Sequence, residues 1–152
     1  MRGILPIALL FMLCASPAEA FPRIFEGPEK VTASDGRITL DVAGLKNASA
    51  KHYLYRADGT SVRFFLVRDK QGDVRAAADA CEVCREAGKG YELKDGTMLC
   101  LNCGRRFPLN RIGILVGGCN PHPLRFAEEG NSIVLTVEEV LSAAEYFPEN
   151  RK

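Results

Sequence analysis

From Arg37 onward the chain runs in short bursts of alternating apolar and polar residues, separated by turns that contain glycine. Arg37–Val42 puts Ile38, Leu40 and Val42 on one face, and His52–Arg56 alternates through Tyr53 and Tyr55. Ser61–Arg68 is the strongest burst. Val62, Phe64 and Leu66 fall on one face and Phe65 and Val67 on the other, so this strand is expected to be covered on both sides. Asp73–Asp79, Gly90–Leu93, Thr97–Leu99, Ile112–Val116 and Ser132–Thr136 are further strand candidates. Asp58-Gly59 and Asp95-Gly96 are two-residue hairpin signals, and Gln71-Gly72 marks another turn. This density of short strands predicts a mainly β fold, a small antiparallel sandwich or barrel.

The pattern changes at the C-terminus. Thr136 with Glu139 three residues later is a capping-box signature. Val137, Val140, Leu141 and Ala144 follow at helical spacing, which predicts an amphipathic C-terminal helix over Val137–Tyr146, closed before Pro148. At the other end, Phe21–Ser34 carries two prolines and no period, and reads as a loose N-terminal lead (residues 21–34). Residues 1–20 read as a secretory signal peptide, with Arg2, an apolar run over Ile4–Ala15 and the small-x-small pattern Ala18-Glu19-Ala20. An uncleaved N-terminal anchor is the alternative. The expected result is an exported, periplasmic or otherwise extracytoplasmic protein, whose mature chain does not span a membrane and whose residues 35–150 form a single metal-binding domain.

Composition adds mainly exclusions. The 152 residues include 47% hydrophobic and 26% charged residues, ordinary values for one globular domain. The net charge is +1, from 20 basic and 19 acidic residues with no basic stripe, so nucleic acid is not an expected partner.

The cysteines carry the chemistry. Cys14 lies in the N-terminal segment, leaving Cys81, Cys84, Cys100, Cys103 and Cys119, an odd number that resists a fully paired disulfide framework. Cys81/Cys84 and Cys100/Cys103 are two CxxC pairs in a C-x2-C-x15-C-x2-C pattern, the spacing of a two-knuckle metal site. A CxxC turn aims two sulfurs at one point, and Gly104 directly after Cys103 suits a tight knuckle. Two knuckles on neighbouring hairpin tips would make a four-sulfur pocket, with the Asp95-Gly96 turn folding the second back onto the first. Two local disulfides and a redox-active dithiol are the competing readings. Cys119 sits in the rigid loop Gly117-Gly118-Cys119-Asn120-Pro121-His122-Pro123. It is a candidate fifth thiol, as a lid over the centre, a ligand or a redox group. His122 is an alternative ligand, and His52 is assigned no role.

In layout, Val74–Leu124 resembles a Rieske-type domain: Cys81 with its approach, Cys100-Leu101-Asn102-Cys103-Gly104, then Arg106-Phe107 and the Gly118-Cys119-Asn120-Pro121-His122-Pro123-Leu124 loop occur in that family's order. Both histidine positions are here Cys84 and Cys103, and the first loop is one residue longer. Arg63-Phe64-Phe65, Ala80-Cys81-Glu82-Val83-Cys84, Cys100-Leu101-Asn102-Cys103-Gly104 and Gly118-Cys119-Asn120-Pro121 resemble more closely the FtrD-like membrane iron–sulfur-containing proteins, over roughly Asp35 to Leu124. That resemblance implies an extracytoplasmic iron centre, often associated with ferrous-iron uptake. All-thiolate ligation of a 2Fe–2S cluster would set its potential toward roughly −400 mV. Zinc accepts the same donors, and an unfolded exported chain would have to acquire its metal after export.

With no general base evident, the sequence points to an iron–sulfur or iron-binding accessory protein rather than an enzyme. It would serve electron transfer or iron handling, with a redox or iron-transport partner in the cell envelope. A structural zinc module and a CxxC thiol–disulfide oxidoreductase are the alternatives.

Overall fold

A computed structural model of the chain describes residues 27–150. The expected signal peptide, Cys14 and the first part of the lead lie outside the described residues. The described chain forms β1 (Glu29–Val31), β2 (Arg37–Asp41), β3 (Ser49–Ala57), β4 (Thr60–Arg68), β5 (Val74–Ala78), β6 (Tyr91–Lys94), β7 (Thr97–Cys100), β8 (Arg106–Pro108), β9 (Ala127–Glu129), β10 (Ser132–Thr136) and α1 (Val137–Ser142). Three small sheets result, ordered β1-β3-β4-β5, β2-β10-β9 and β6-β7-β8. The fold is mainly β, as the alternation predicts, with one parallel pairing between β1 and β3.

The β3–β4 hairpin is the longest, paired from Ser49 opposite Arg68 to Ala57 opposite Thr60. Its turn places Asp58 and Gly59 at φ 49° and 77°, the left-handed pair that suits the twist of two joined strands. Asp95 and Gly96 repeat this at φ 51° and 71° between β6 and β7.

Strand β4 divides the interior. Val62, Phe64 and Leu66 enter a core shared with Ile38 and Leu40 of β2, Ile133 and Leu135 of β10, and Phe147. Tyr53 stacks on Phe64 there, with ring centroids 5.4 Å apart. Phe65 and Val67 enter a second core with Tyr91, Met98, Phe107 and the buried cysteines. Two-sided burial of one strand thus joins the sheet body to the cysteine-bearing lobe.

At the C-terminus the Thr136 hydroxyl accepts the Glu139 amide at 3.1 Å and caps α1. The Glu139 carboxylate does not complete the reciprocal box; it takes the Arg125 amide (2.9 Å) and guanidinium (2.8 and 3.0 Å). The helix ends at Ser142, and a 3-10 turn over Ala144–Tyr146 carries the chain on to buried Phe147.

Three departures from the sequence reading matter. Part of the expected lead, Glu29–Val31, is β1 and pairs with β3. Strands β8 and β9, each three residues long, had no alternation to reveal them. Ile112–Val116 is not a strand. Ile112 is buried, but Gly113 turns at φ +73° against the Ala76 carbonyl, with 3.0 Å left for any Cβ, and Ile114, Leu115 and Val116 emerge into solvent.

Candidate metal centre

The first CxxC follows β5 through Asp79 and Ala80. The Cys84 amide donates to the Cys81 sulfur at 3.4 Å, as a CxxC turn requires, and a 3-10 turn over Arg85–Ala87 closes at Gly88 (φ 61°). This knuckle therefore ends a strand and enters a short helical turn; it is not on a hairpin tip. The second is. Cys100 ends β7, the Gly104 amide donates to the Cys100 carbonyl at 2.9 Å, and the Cys100 amide to the Arg105 carbonyl at 2.9 Å. Gly104 takes φ +73°.

The hairpin turned at Asp95-Gly96 brings the second knuckle back. Tyr91 pairs with Cys100 across β6–β7, and the Leu101 amide donates to the Gly90 carbonyl at 3.0 Å. The sulfurs of Cys84, Cys100 and Cys103 consequently lie within 4.8 Å of one another. Cys81, 1% exposed, sits at the inner side of this trio and does not share that mutual distance. Cys84 and Cys100 are buried, whereas Cys103 is exposed and Cys119 half-buried. All five are free thiols.

The thiols differ electrostatically. Burial raises the Cys100 thiol, opposed by the amides of Cys103 and Asn102. The Arg105 amide holds Cys103 down to about 7. Cys119 is raised, by its partial burial and then by neighbouring Cys103. Of these three, Cys103 is the readiest thiolate and Cys119 the thiol that keeps its proton beside it.

The Gly117–Pro123 loop touches the first knuckle and Tyr91 through its backbone. Gly118 donates to Glu82 Oε2 at 3.1 Å, Val83 donates to the Gly118 carbonyl at 3.4 Å, and the Tyr91 hydroxyl donates to the Cys119 carbonyl at 2.7 Å. Further along, the loop pairs with the run into Cys81: Ala78 donates to the His122 carbonyl (2.8 Å) and His122 to the Ala80 carbonyl (3.1 Å). The His122 ring packs on Tyr146, centroids 4.7 Å apart, and is outside the sulfur trio.

His52, assigned no role from sequence, supports the lobe from behind. Its Nε2–H donates to the Tyr91 carbonyl at 3.1 Å, and the ring tilts on Phe65 at 5.4 Å. Burial lowers its pKa below the ordinary 6.5. Nε2 is also 4.0 Å from Asp79, a buried carboxyl that accepts the Tyr91 amide at 2.7 Å. Burial raises Asp79 to about 7, against the pull of that amide and of Arg63. Gly90 leaves Asp79 its room: a Cβ there would stand 2.5 Å from both carboxyl oxygens. The sequence signal for this arrangement was weak, because His52 on β3 and Asp79 after β5 meet only through the pairing of both strands with β4.

Free space beside Cys81, Cys84 and Cys100 amounts to about 10 Å³, the room of one water. A groove of about 640 Å³ runs along β1, β2 and β3 and is lined by none of the cysteines.

The donor set fits a thiophilic metal or cluster. Free thiols from two knuckles converge, and the Cys84 amide faces the Cys81 sulfur. A family model described as membrane iron–sulfur-containing protein FtrD-like matches residues 45–147. No curated protein and no solved structure matches.

Proposed function

This chain belongs to the FtrD-like family of membrane iron–sulfur-containing proteins, and from that premise we propose that it is an exported iron–sulfur or iron-binding accessory protein, serving electron transfer or iron handling linked to ferrous-iron uptake. The observation that carries this reading is the convergence of Cys84, Cys100 and Cys103 within 4.8 Å from two separate knuckles. Cys81, Cys84, Cys100 and Cys103 are the proposed ligands, and Cys119 the covering thiol. A 2Fe–2S cluster held there would supply one-electron chemistry. The chain's own part is to hold four thiolates, aim amides at them, and keep water from the inner three sulfurs. The one-water space beside them leaves no room for an organic substrate, which favours a carrier over an enzyme. The N-terminal Arg2, the apolar Ile4–Ala15 run and Ala18-Glu19-Ala20 support export to the periplasm or another extracytoplasmic site. Among the described residues no helix is long and apolar enough to cross a membrane.

The test is anaerobic purification from the exported fraction, followed by metal analysis and visible spectroscopy. Iron with acid-labile sulfide and a visible charge-transfer band is expected. One zinc per chain with no visible band would replace this reading with the structural zinc module.

One observation favours a second reading. Cys103 is exposed, carries a lowered pKa and shares a CxxC with buried Cys100, which suits the attacking thiol of a thiol–disulfide oxidoreductase. In that case metal-free protein reduces insulin disulfides and Cys103→Ser does not. No turnover by the metal-free protein removes it.

A further inference from the structure

The large hydrophobic side chains left exposed are not scattered. Among the described residues they are Val83, Leu101, Ile114, Leu115 and Val116, between 42% and 71% exposed. Val83 lies inside the first CxxC, Leu101 inside the second, and Ile114–Val116 lead into Cys119. Scattered exposed apolar residues need no explanation; a set confined to the three loops that carry the cysteines does.

The contacts bring these loops together. The Val83 amide donates to the Gly118 carbonyl at 3.4 Å, which sets the first knuckle against the loop that follows Val116. Cys84 and Cys103 lie within 4.8 Å, which sets the two knuckle tips side by side. The five side chains thus stand, as a collar, on the loops that meet near exposed Cys103 and half-buried Cys119.

Charge around the collar is uneven: the first knuckle balances Glu82 and Glu86 against Arg85 and Lys89, and the second carries only cations. From Cys100 to Cys119 the chain has Arg105, Arg106 and Arg111 and no acidic residue. Arg106 is held by Asp95 at 3.2 Å, but Arg105 and Arg111 make no ion pair among the described residues. An apolar centre whose rim is cationic on the second-knuckle side matches the anatomy of a protein interface whose partner has an apolar centre and carboxylates facing that side.

Resting on the metal-centre reading above, we propose that the collar is the docking surface for an acidic carrier protein, which meets the centre at the Cys103 edge. Val83, Leu101 and Ile114–Val116 exclude water from the contact, and Arg105 and Arg111 orient the partner. A lipid surface would also accept apolar and cationic groups, but it would seal the Cys103 edge from any carrier.

Fluorescence anisotropy with a labelled flavodoxin, a small acidic carrier with apolar side chains around its flavin, tests this directly. Basic cytochrome c is the opposite-charge control. Wild type should bind flavodoxin at least tenfold more tightly than cytochrome c, and added salt should weaken it. Val83→Ser with Val116→Ser should weaken flavodoxin at least tenfold, and Arg105→Glu with Arg111→Glu should reverse the preference. Lys46→Ser, in the groove along β1 and β2, should change neither. All the collar residues are exposed, and unchanged metal content in each variant confirms that the fold survives. Equal binding by wild type and the Val83→Ser/Val116→Ser protein overturns the proposal, as does binding to neither carrier. Sedimentation with phosphatidylglycerol vesicles that only the collar variant loses, without flavodoxin binding, overturns it in favour of a membrane seat. A dimer that only the variant loses overturns it in favour of self-association. Metal content is read on the same samples, so zinc in place of iron would count against the metal-centre reading while anisotropy still decides the docking.

Discussion

The two faces of β4 look into two differently built interiors. Phe64 faces a core of Ile38, Leu40, Leu66, Ile133, Leu135 and Phe147, contributed by two sheets and the C-terminal turns. One position on, Phe65 faces a smaller core in which Cys81, Cys84 and Cys100 occupy places that aliphatic side chains fill elsewhere. The first interior can be held by burial alone, since each large side chain removed from water contributes about 1.5–3 kcal/mol. The second gives several of its inward positions to thiols, and the strands around them, β6 to β8, are only three or four residues long. Sulfurs placed for a metal make a poor substitute for packing until the metal is there. The sheet body is accordingly expected to hold without a ligand, and the knuckle lobe to be the part whose stability depends on a metal.

The sharpest way to break this contrast is to take the metal away. A structural thiolate site contributes on the order of 10 kcal/mol. Chelation, or Cys100→Ser, should expose the amides from Tyr91 to Phe107 to hydrogen exchange while those of β4 and β10 stay protected. Loss of protection in both regions at once would show that the body does not stand alone.

The next effect comes from neighbouring residues. Phe64→Ala and Phe65→Ala should each cost about 3–5 kcal/mol. In denaturant titration of the loaded protein, the first should lower the unfolding midpoint with metal affinity kept. The second should release metal at lower chelator concentration. Identical behaviour would mean that the two cores act as one.

A smaller change tests the body only. Thr136→Ala removes the cap on α1 and should cost about 1 kcal/mol in chemical denaturation, with the metal-site spectrum unchanged.

The smallest effect is a slope with pH. Burial holds the His52 pKa below 6.5, so the unfolded chain takes up a proton there before the folded chain does. The contribution of neutral His52 is therefore present above about 6.5 and is lost as pH falls through its folded value. Asp79, raised to about 7, adds stability over the same window as pH falls, so the His52 part is read as a difference: between pH 7.5 and 5.5 wild type should lose stability relative to His52→Gln. Parallel curves would remove His52 from the junction between body and lobe.

Much of this molecule was legible in short-range pattern. The alternation over Ser61–Arg68 already implied a strand with two buried faces, and Asp58-Gly59 and Asp95-Gly96 named their turns, because only a few residues take that backbone shape without strain. Thr136 announced the start of the helix. The two CxxC pairs, with Gly104 after the second, marked the knuckles, since that geometry is closed within a few residues. Ile112–Val116 misled for a corresponding reason: its alternation was local, but the close approach of Gly113 to Ala76 came from another strand.

What only the tertiary structure decided were meetings between distant segments. Sequence could name Cys84 and Cys103 as candidate ligands of one centre; the return of β6–β7 brought their sulfurs within 4.8 Å and left Cys103 at the surface and Cys81 inside. The places of His52 behind Tyr91 and of Val83, Leu101 and Ile114–Val116 on loops that meet near Cys103 depend on pairings across tens of residues. Periodicity and turn chemistry act along the chain, whereas exposure and convergence are set by the elements that finally pack together, and no local pattern records them.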